Sequence, residues 1–223
     1  MTLQEAIRNR HSVRAYEDKP IEQDKRAELD AFAEECNRES GLDIKVVYDD
    51  PEGFDSRLAH YGSFRNVNNY IVLAGKSNQD IDERCGYFGE KIVLNAQTLG
   101  LNTCWVGLTF NKKRVKQLLP ADEKLCIVIA LGYGQTEGKP HKGKEFSKVC
   151  QDSDTPDWFR AGVEAALLAP TAVNQQKFRL TLLDENTVKA SIQGIGPYLK
   201  LDLGIVKCHF ELGAGKENFK WSE

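Results

Sequence analysis

Three anion-binding side chains stand two residues apart near the start of the chain, in Arg10-His11-Ser12-Val13-Arg14. In an extended segment alternate side chains point the same way, so two guanidiniums and a hydroxyl can converge on one ligand. That set suits a phosphate or the polar edge of a ring, because a guanidinium fork pairs oxygens two at a time. The same residues also suit a solvated basic turn, and spacing alone leaves both readings open. A second cationic cluster, Lys139-Pro140-His141-Lys142-Gly143-Lys144, follows the turn Gly132-Tyr133-Gly134. A third group, Ala169-Pro170-Thr171-Ala172-Val173-Asn174-Gln175-Gln176, presents a hydroxyl and amides where Pro170 stops a helix. Residues of these types commonly satisfy their own backbone in a loop, which is the plain alternative.

Little else competes for chemistry. There is no catalytic triad, paired carboxylate or P-loop, and Gly132-x-Gly134 lacks the rest of a dinucleotide fingerprint. Six cysteines lie at 36, 85, 104, 126, 150 and 208, with none at zinc-knuckle or iron–sulfur spacing. The four histidines, His11, His60, His141 and His209, form no HxxxH pair. No metal is expected, and the cysteines read as reduced, mostly buried thiols. With 33 acidic and 30 basic residues the net charge is −3, which argues against nucleic acid or anionic lipid as a partner. No apolar run reaches the ~18 residues of a membrane span. Met1-Thr2-Leu3-Gln4-Glu5 shows neither the basic nor the apolar part of a secretory signal, so the expected setting is the cytoplasm.

The elements that must position these groups follow from hydrophobic spacing in a chain of 223 residues, 41% hydrophobic and 28% charged. Leu3, Ala6 and Ile7 predict a helix over residues 2 to 9. Leu29, Phe32, Ala33 and Cys36 predict another over 22 to 38. Residues 44 to 48 and 70 to 75 read as strands, the second apolar enough to be central in a sheet. Phe88, Ile92, Ala96 and Leu99 stripe a long helix over 79 to 99 that Gly100 ends. Cys104-Trp105-Val106-Gly107, a helix near 111 to 118 and a strand over 126 to 131 complete a first half, residues 1 to 152. The polar stretch 151 to 156 predicts a boundary, and residues 153 to 223 form a shorter second half. There a helix containing Ala165 to Ala169 leads to a strand at 178 to 184. That order echoes the passage from Ala31 to Asp50, so an internal duplication is one reading.

The ordered set resembles the nitroreductase family of flavin enzymes. It comprises RHSVRAY after an N-terminal helix, FGEKIVLNAQTLGLNTCWVG, CIVIALGYG, and a basic tail, over about residues 1 to 150. AALLAPTAVNQQKFRLTLLDE resembles the family's A-x-x-APSxxNxQPWxF element, with Thr for Ser and Lys-Phe for Pro-Trp. In the family that element follows RxSxR directly; here AFAEECNRESGLDIKVVYDD holds its place and the intact version comes only after residue 165. The resemblance implies an α+β, nitroreductase-like fold: a mixed or antiparallel sheet flanked by helices. It implies that Arg10 and Ser12, with His11, hold the phosphate and ribityl chain of FMN, while Arg14 faces the pyrimidine edge. Lys142 or Lys144 would complete the phosphate site. Trp105, Val106, Gly107 and Leu108 would pass the N5 edge, and Pro170, Thr171 and Asn174 would close the site.

The chemistry implied is the cofactor's: electrons from NADH or NADPH pass through FMN to a nitroaromatic, quinone or similar small acceptor by a ping-pong route. A fixed guanidinium at Arg14 would favour the extra negative charge of the reduced flavin without any acid or base residue. A non-catalytic flavin-binding or sensing protein is the alternative that the altered Lys177-Phe178 lid keeps open. Standard members are homodimers that build each site from two subunits. One intact copy of each motif in one chain points instead to a monomeric pseudo-dimer binding one FMN, with an ordinary homodimer as the rival.

Overall fold

A computed structural model describes residues 1–55, 63–151 and 154–222; the expected boundary between 152 and 153 lies outside them, as does His60. The chain divides into two compact units. Asn9–Ile81 and Ile92–Pro140, with Met1, form one; Thr2–Arg8, Asp82–Lys91 and His141–Glu223 form the other.

In the first unit, helix α2 (Gln23–Ser40) buries Leu29, Ala33 and Cys36 and packs on strand β1 (Asp43–Val47). Gly41 ends it in the left-handed region at φ 67°, donating its N–H to the Asn37 carbonyl. Strand β2 (Asn69–Lys76) is buried from Asn69 to Gly75, as a central strand of apolar, β-branched residues must be. Helix α3 (Ile81–Thr98) follows, its Asp82–Lys91 stretch belonging to the second unit, then β3 (Asn102–Val106), the short α4 (Lys112–Lys116) and β4 (Glu123–Gly132). The sheet order is β1-β2-β4-β3, with every neighbouring pair antiparallel. Val72 faces Val128 and Cys104 faces Ala130 across the pairs, and one side of this sheet buries Tyr16, Phe54 and Tyr70.

The second unit contains α1 (Leu3–Asn9), α5 (Phe146–Val149), α6 (Asp157–Ala166), β5 (Phe178–Leu182), β6 (Thr187–Ile192), α7 (Leu199–Ala214) and β7 (Lys220–Trp221). β6 pairs antiparallel with β5 and parallel with β7. Small residues let its helices approach closely. A Cβ on Gly162 of α6 would lie 2.6 Å from the Phe210 ring, and one on Gly204 of α7 would lie 1.9 Å from the Glu83 carbonyl oxygen. Rings fill what remains: Trp158 stacks on Phe219, and Phe210 meets Phe159, Phe219 and Trp221.

Among the described residues the order helix, strand, strand, helix, strand occurs twice: α2-β1-β2-α3-β3, then α6-β5-β6-α7-β7. Because β2 and β3 are each antiparallel to β4, they run parallel to one another. Taking β4 away would leave the orientations of the second sheet, where β6 and β7 run parallel as direct neighbours.

Candidate functional site

The segment after α1 is extended and tied at several points. Ser12 bridges in parallel to Thr103 of β3, and the Val13 N–H donates to the Thr103 carbonyl at 3.0 Å. Arg65 donates its N–H to the Arg14 carbonyl at 2.9 Å, and Gln135 does the same to Ala15 at 2.9 Å. Val13 and Tyr16 anchor the segment by burial, and the Tyr16 hydroxyl donates to the Val13 carbonyl. Arg10, Ser12 and Arg14 all act on the Cys104 thiol, Ser12 by contact and the two arginines through their charge. The Ser12 hydroxyl donates to the sulfur, and both guanidiniums favour its ionised form. Burial outweighs them and holds the thiol above the ordinary cysteine range, so Cys104 packs as a neutral group. Arg10 is itself buried while Arg14 is exposed, so the two cations are presented at different depths.

The turn after β4 seats against the same segment. Asn102 accepts the Gly134 N–H at 2.9 Å, and the His11 Nδ1 lies 3.2 Å from the Glu137 carbonyl. Gly138, at φ 74°, leaves no room for a side chain: a Cβ there would stand 2.7 Å from that of His11. Beyond β3 the chain surfaces progressively. Val106 is buried, Trp105 and Gly107 are half-buried, and Leu108 is 75% exposed.

In the second unit the basic loop and the amide-bearing loop are stitched together by Gln176, which is buried. Its Oε1 accepts the Lys144 N–H at 2.8 Å, and its Nε2 donates to the Lys142 carbonyl at 2.9 Å and to Asn174 Oδ1 at 2.8 Å. Its own N–H donates to Thr171 Oγ1, and its carbonyl accepts the Lys144 ammonium at 2.6 Å. Lys144 is therefore engaged in holding the loop, which leaves the exposed Lys142 as the better placed of the two expected cations. Asn174 is engaged at both ends, since its Nδ2 donates to the Lys142 carbonyl at 3.0 Å. Pro170 and Thr171 are half-buried at the loop's start. Val173, Asn174 and Gln176 all have positive φ, at 47°, 54° and 44°. Sequence reasoning missed Gln176 as a support, although its place in the motif was visible. It also missed Asp202 of α7, which accepts from Ala172 and Gln175 in this loop and which no sequence signal marks.

The two clusters share a chemical character: cations, hydroxyls and amides, suited to an anionic, polar-edged ligand. Among the described residues no group of His, Cys, Asp or Glu is arranged to hold a metal ion, and no helix is long and apolar enough to cross a membrane.

The sequence matches, over residues 2–214, a family model described as "Putative TM nitroreductase". Among solved structures it is similar to a Thermotoga maritima protein described as a "putative nitroreductase". The TM-score is 0.69 at 23% identity, covering 97% of this chain and 85% of that one. A Desulfovibrio desulfuricans protein with the same description, crystallised with FMN, aligns with a TM-score of 0.56 at 22% identity, over 70% of this chain and 99% of that one. A Clostridium acetobutylicum protein described as a "Putative NADH Oxidase" aligns with a TM-score of 0.51 at 25% identity, over 65% and 96% of the two chains. No curated protein matches the sequence. The likeness extends to the mixed α/β architecture of antiparallel sheet and flanking helices expected from the sequence.

Proposed function

The chain belongs to the "Putative TM nitroreductase" family, and on that premise we propose that it is a cytoplasmic FMN-dependent oxidoreductase. The observation that carries the proposal is that Arg10, Ser12 and Arg14 all bear on the Cys104 thiol of β3 from one extended segment, an arrangement suited to a phosphate, a ribityl hydroxyl and a ring edge. FMN is the ligand named for the Desulfovibrio relative, and the donors here fit it. Bound FMN would supply the chemistry, taking a hydride from NADH or NADPH and delivering electrons to a nitroaromatic, quinone or similar acceptor.

The residues of this chain would bind and tune. Arg10, which is buried, with Ser12 and His11, would hold the phosphate and ribityl chain. Arg14 would place a fixed positive charge at the pyrimidine edge, favouring the reduced over the oxidised flavin without moving a proton. Trp105, Val106, Gly107 and Leu108 would line the N5 edge with backbone groups. Lys142 would complement the phosphate, with Lys144 bracing Gln176. Pro170, Thr171 and Asn174 would close the site against water. Steady-state kinetics of the FMN-loaded protein with NADH or NADPH and a quinone test the proposal. Parallel double-reciprocal lines support it; FMN binding without turnover supports a non-catalytic flavin protein instead.

The repeated element order supports a second part of the reading: the chain is an internal duplication, residues 1–152 and 153–223, that lost the counterpart of β4. A single chain then carries one RxSxR and one APTxxN motif, and the assembly proposed is a 25.1 kDa monomer with one FMN. The mass of the flavin-bound species in solution decides it; twice the chain mass would establish the homodimer.

A further inference from the structure

We infer that Asp202 is a positioning residue: through Ala172 and Gln175 it holds the 171–176 loop in the strained conformation that presents Thr171 and Asn174. The purpose assigned to the loop rests on the flavin reading above; the clamp itself does not. Asp202 lies in the first turn of α7 and is 5% exposed. Its Oδ1 accepts the Ala172 N–H at 2.9 Å, and its Oδ2 accepts the Gln175 Nε2 at 2.8 Å. The same Gln175 nitrogen donates its other hydrogen to the Pro197 carbonyl at 2.8 Å. One carboxylate thus secures two points of the loop and, through Gln175, the segment before α7. Lys177 strengthens that link by donating its ammonium to the Ile195 carbonyl at 2.5 Å.

The loop needs such a clamp. Val173, Asn174 and Gln176 all occupy the left-handed region, where a side chain crowds the backbone and a β-branched valine is least at ease. Val173 is 89% exposed, so no burial compensates it. A conformation of this kind persists only where the surroundings over-determine it. Gln176 supplies one anchor and Asp202 the other.

A carboxylate suits the second anchor better than an amide. Both of its oxygens accept, and both partners donate. In Asp202→Asn one of the two positions would offer N–H groups to the N–H groups of Gln175. Turning the Gln175 amide over would point its oxygen at the Pro197 carbonyl. Burial raises the Asp202 pKa to about 6, against which the two hydrogen bonds work, so the charge stands where stability alone would not put it.

The test is amide hydrogen exchange of the full chain, with and without FMN, in wild type, Asp202→Asn and Gln175→Ala at pH 7.5. Exchange in the peptide spanning 170–177 should quicken about tenfold in both variants, the scale of one lost charge-assisted hydrogen bond. The melting temperature of Asp202→Asn should stay level or rise, and its FMN dissociation constant should grow by about tenfold. Unchanged exchange in a folded variant would overturn the clamp. So would a fall in melting temperature with faster exchange spread along α7, the signature of a purely structural role. If Asp202→Asn does not fold, Gln175→Ala decides alone. If wild type binds no FMN, the flavin reading fails while the exchange experiment still tests the clamp.

Discussion

Replacing Gly204 with alanine sets two effects of opposite sign against each other. In an open helix interior the change would stabilise by about 1 kcal/mol, because glycine loses more backbone freedom on folding. In α7 the new Cβ would stand 1.9 Å from the Glu83 carbonyl oxygen and 2.7 Å from the Tyr87 nitrogen, where ordinary contact begins at 3.4 Å. Both neighbours are backbone, so no side chain can swing aside and the helices themselves must part. Overpacking of this kind costs about 1–3 kcal/mol, and three backbone atoms inside 3 Å place this case at the upper end. The net expectation is a loss of about 2 kcal/mol, which at this chain length lowers the melting temperature by about 4–8 °C. Urea unfolding of Gly204→Ala measures it as a lower midpoint with an unchanged slope. Gly86 meets the Leu201 carbonyl at the same 1.9 Å, so Gly86→Ala should behave alike. The double variant should lose less than the sum, because one separation relieves both clashes. A Gly204→Ala protein as stable as wild type, or more so, would refute this account of the helix contact.

Other consequences are as direct. Asp202 has a pKa raised from 3.8 to about 6, so its contribution to stability is fully present below pH 4 and falls by about 3 kcal/mol as pH rises through 6; urea titrations at several pH values should show this slope in wild type and not in Asp202→Asn. His209 and Glu90 are fully buried 2.8 Å apart, and the His209 Nδ1 must carry hydrogen to reach the Ala165 carbonyl. Glu90→Ala should therefore destabilise by about 3–5 kcal/mol in the same assay, and Glu90→Gln, which keeps an acceptor, by less. Arg14→Ala should lower the reduction potential of the bound flavin and weaken FMN, as redox titration and fluorescence would report, whereas Cys104→Ser should change both much less.

Much of this was legible in the residues. The unbroken apolar run at 70–75 reads as a central strand, and β2 is one; the Leu29, Ala33, Cys36 spacing gives the buried side of α2. Extended spacing allows Arg10, Ser12 and Arg14 to face one ligand, but it carries no sign of Cys104 of β3, on which all three act in the fold. The helix predicted through Ala169 ends at Ala166, where the chain turns toward Pro170. β4 begins at Glu123 rather than 126, because pairing with Lys76 of β2 recruits polar residues that periodicity would leave outside. β6 escapes notice because only Val188 in it is buried. Lys144 reads as a surface cation and is exposed, but its ammonium is engaged by the Gln176 carbonyl, a loop contact that spacing does not show. Asp202 is one of four charged residues in α7, with Lys200, Lys207 and Glu211, and nothing in the sequence sets it apart from the other three until the 171–176 loop is seen to hydrogen-bond to it.

The visible spectrum of the purified protein during anaerobic titration tests the central claim most directly. The account predicts that FMN binds in a one-to-one ratio with the chain, giving a flavin band at about 450 nm that NADH or NADPH bleaches and a quinone restores. A protein that stays colourless after FMN is added and desalted would contradict it.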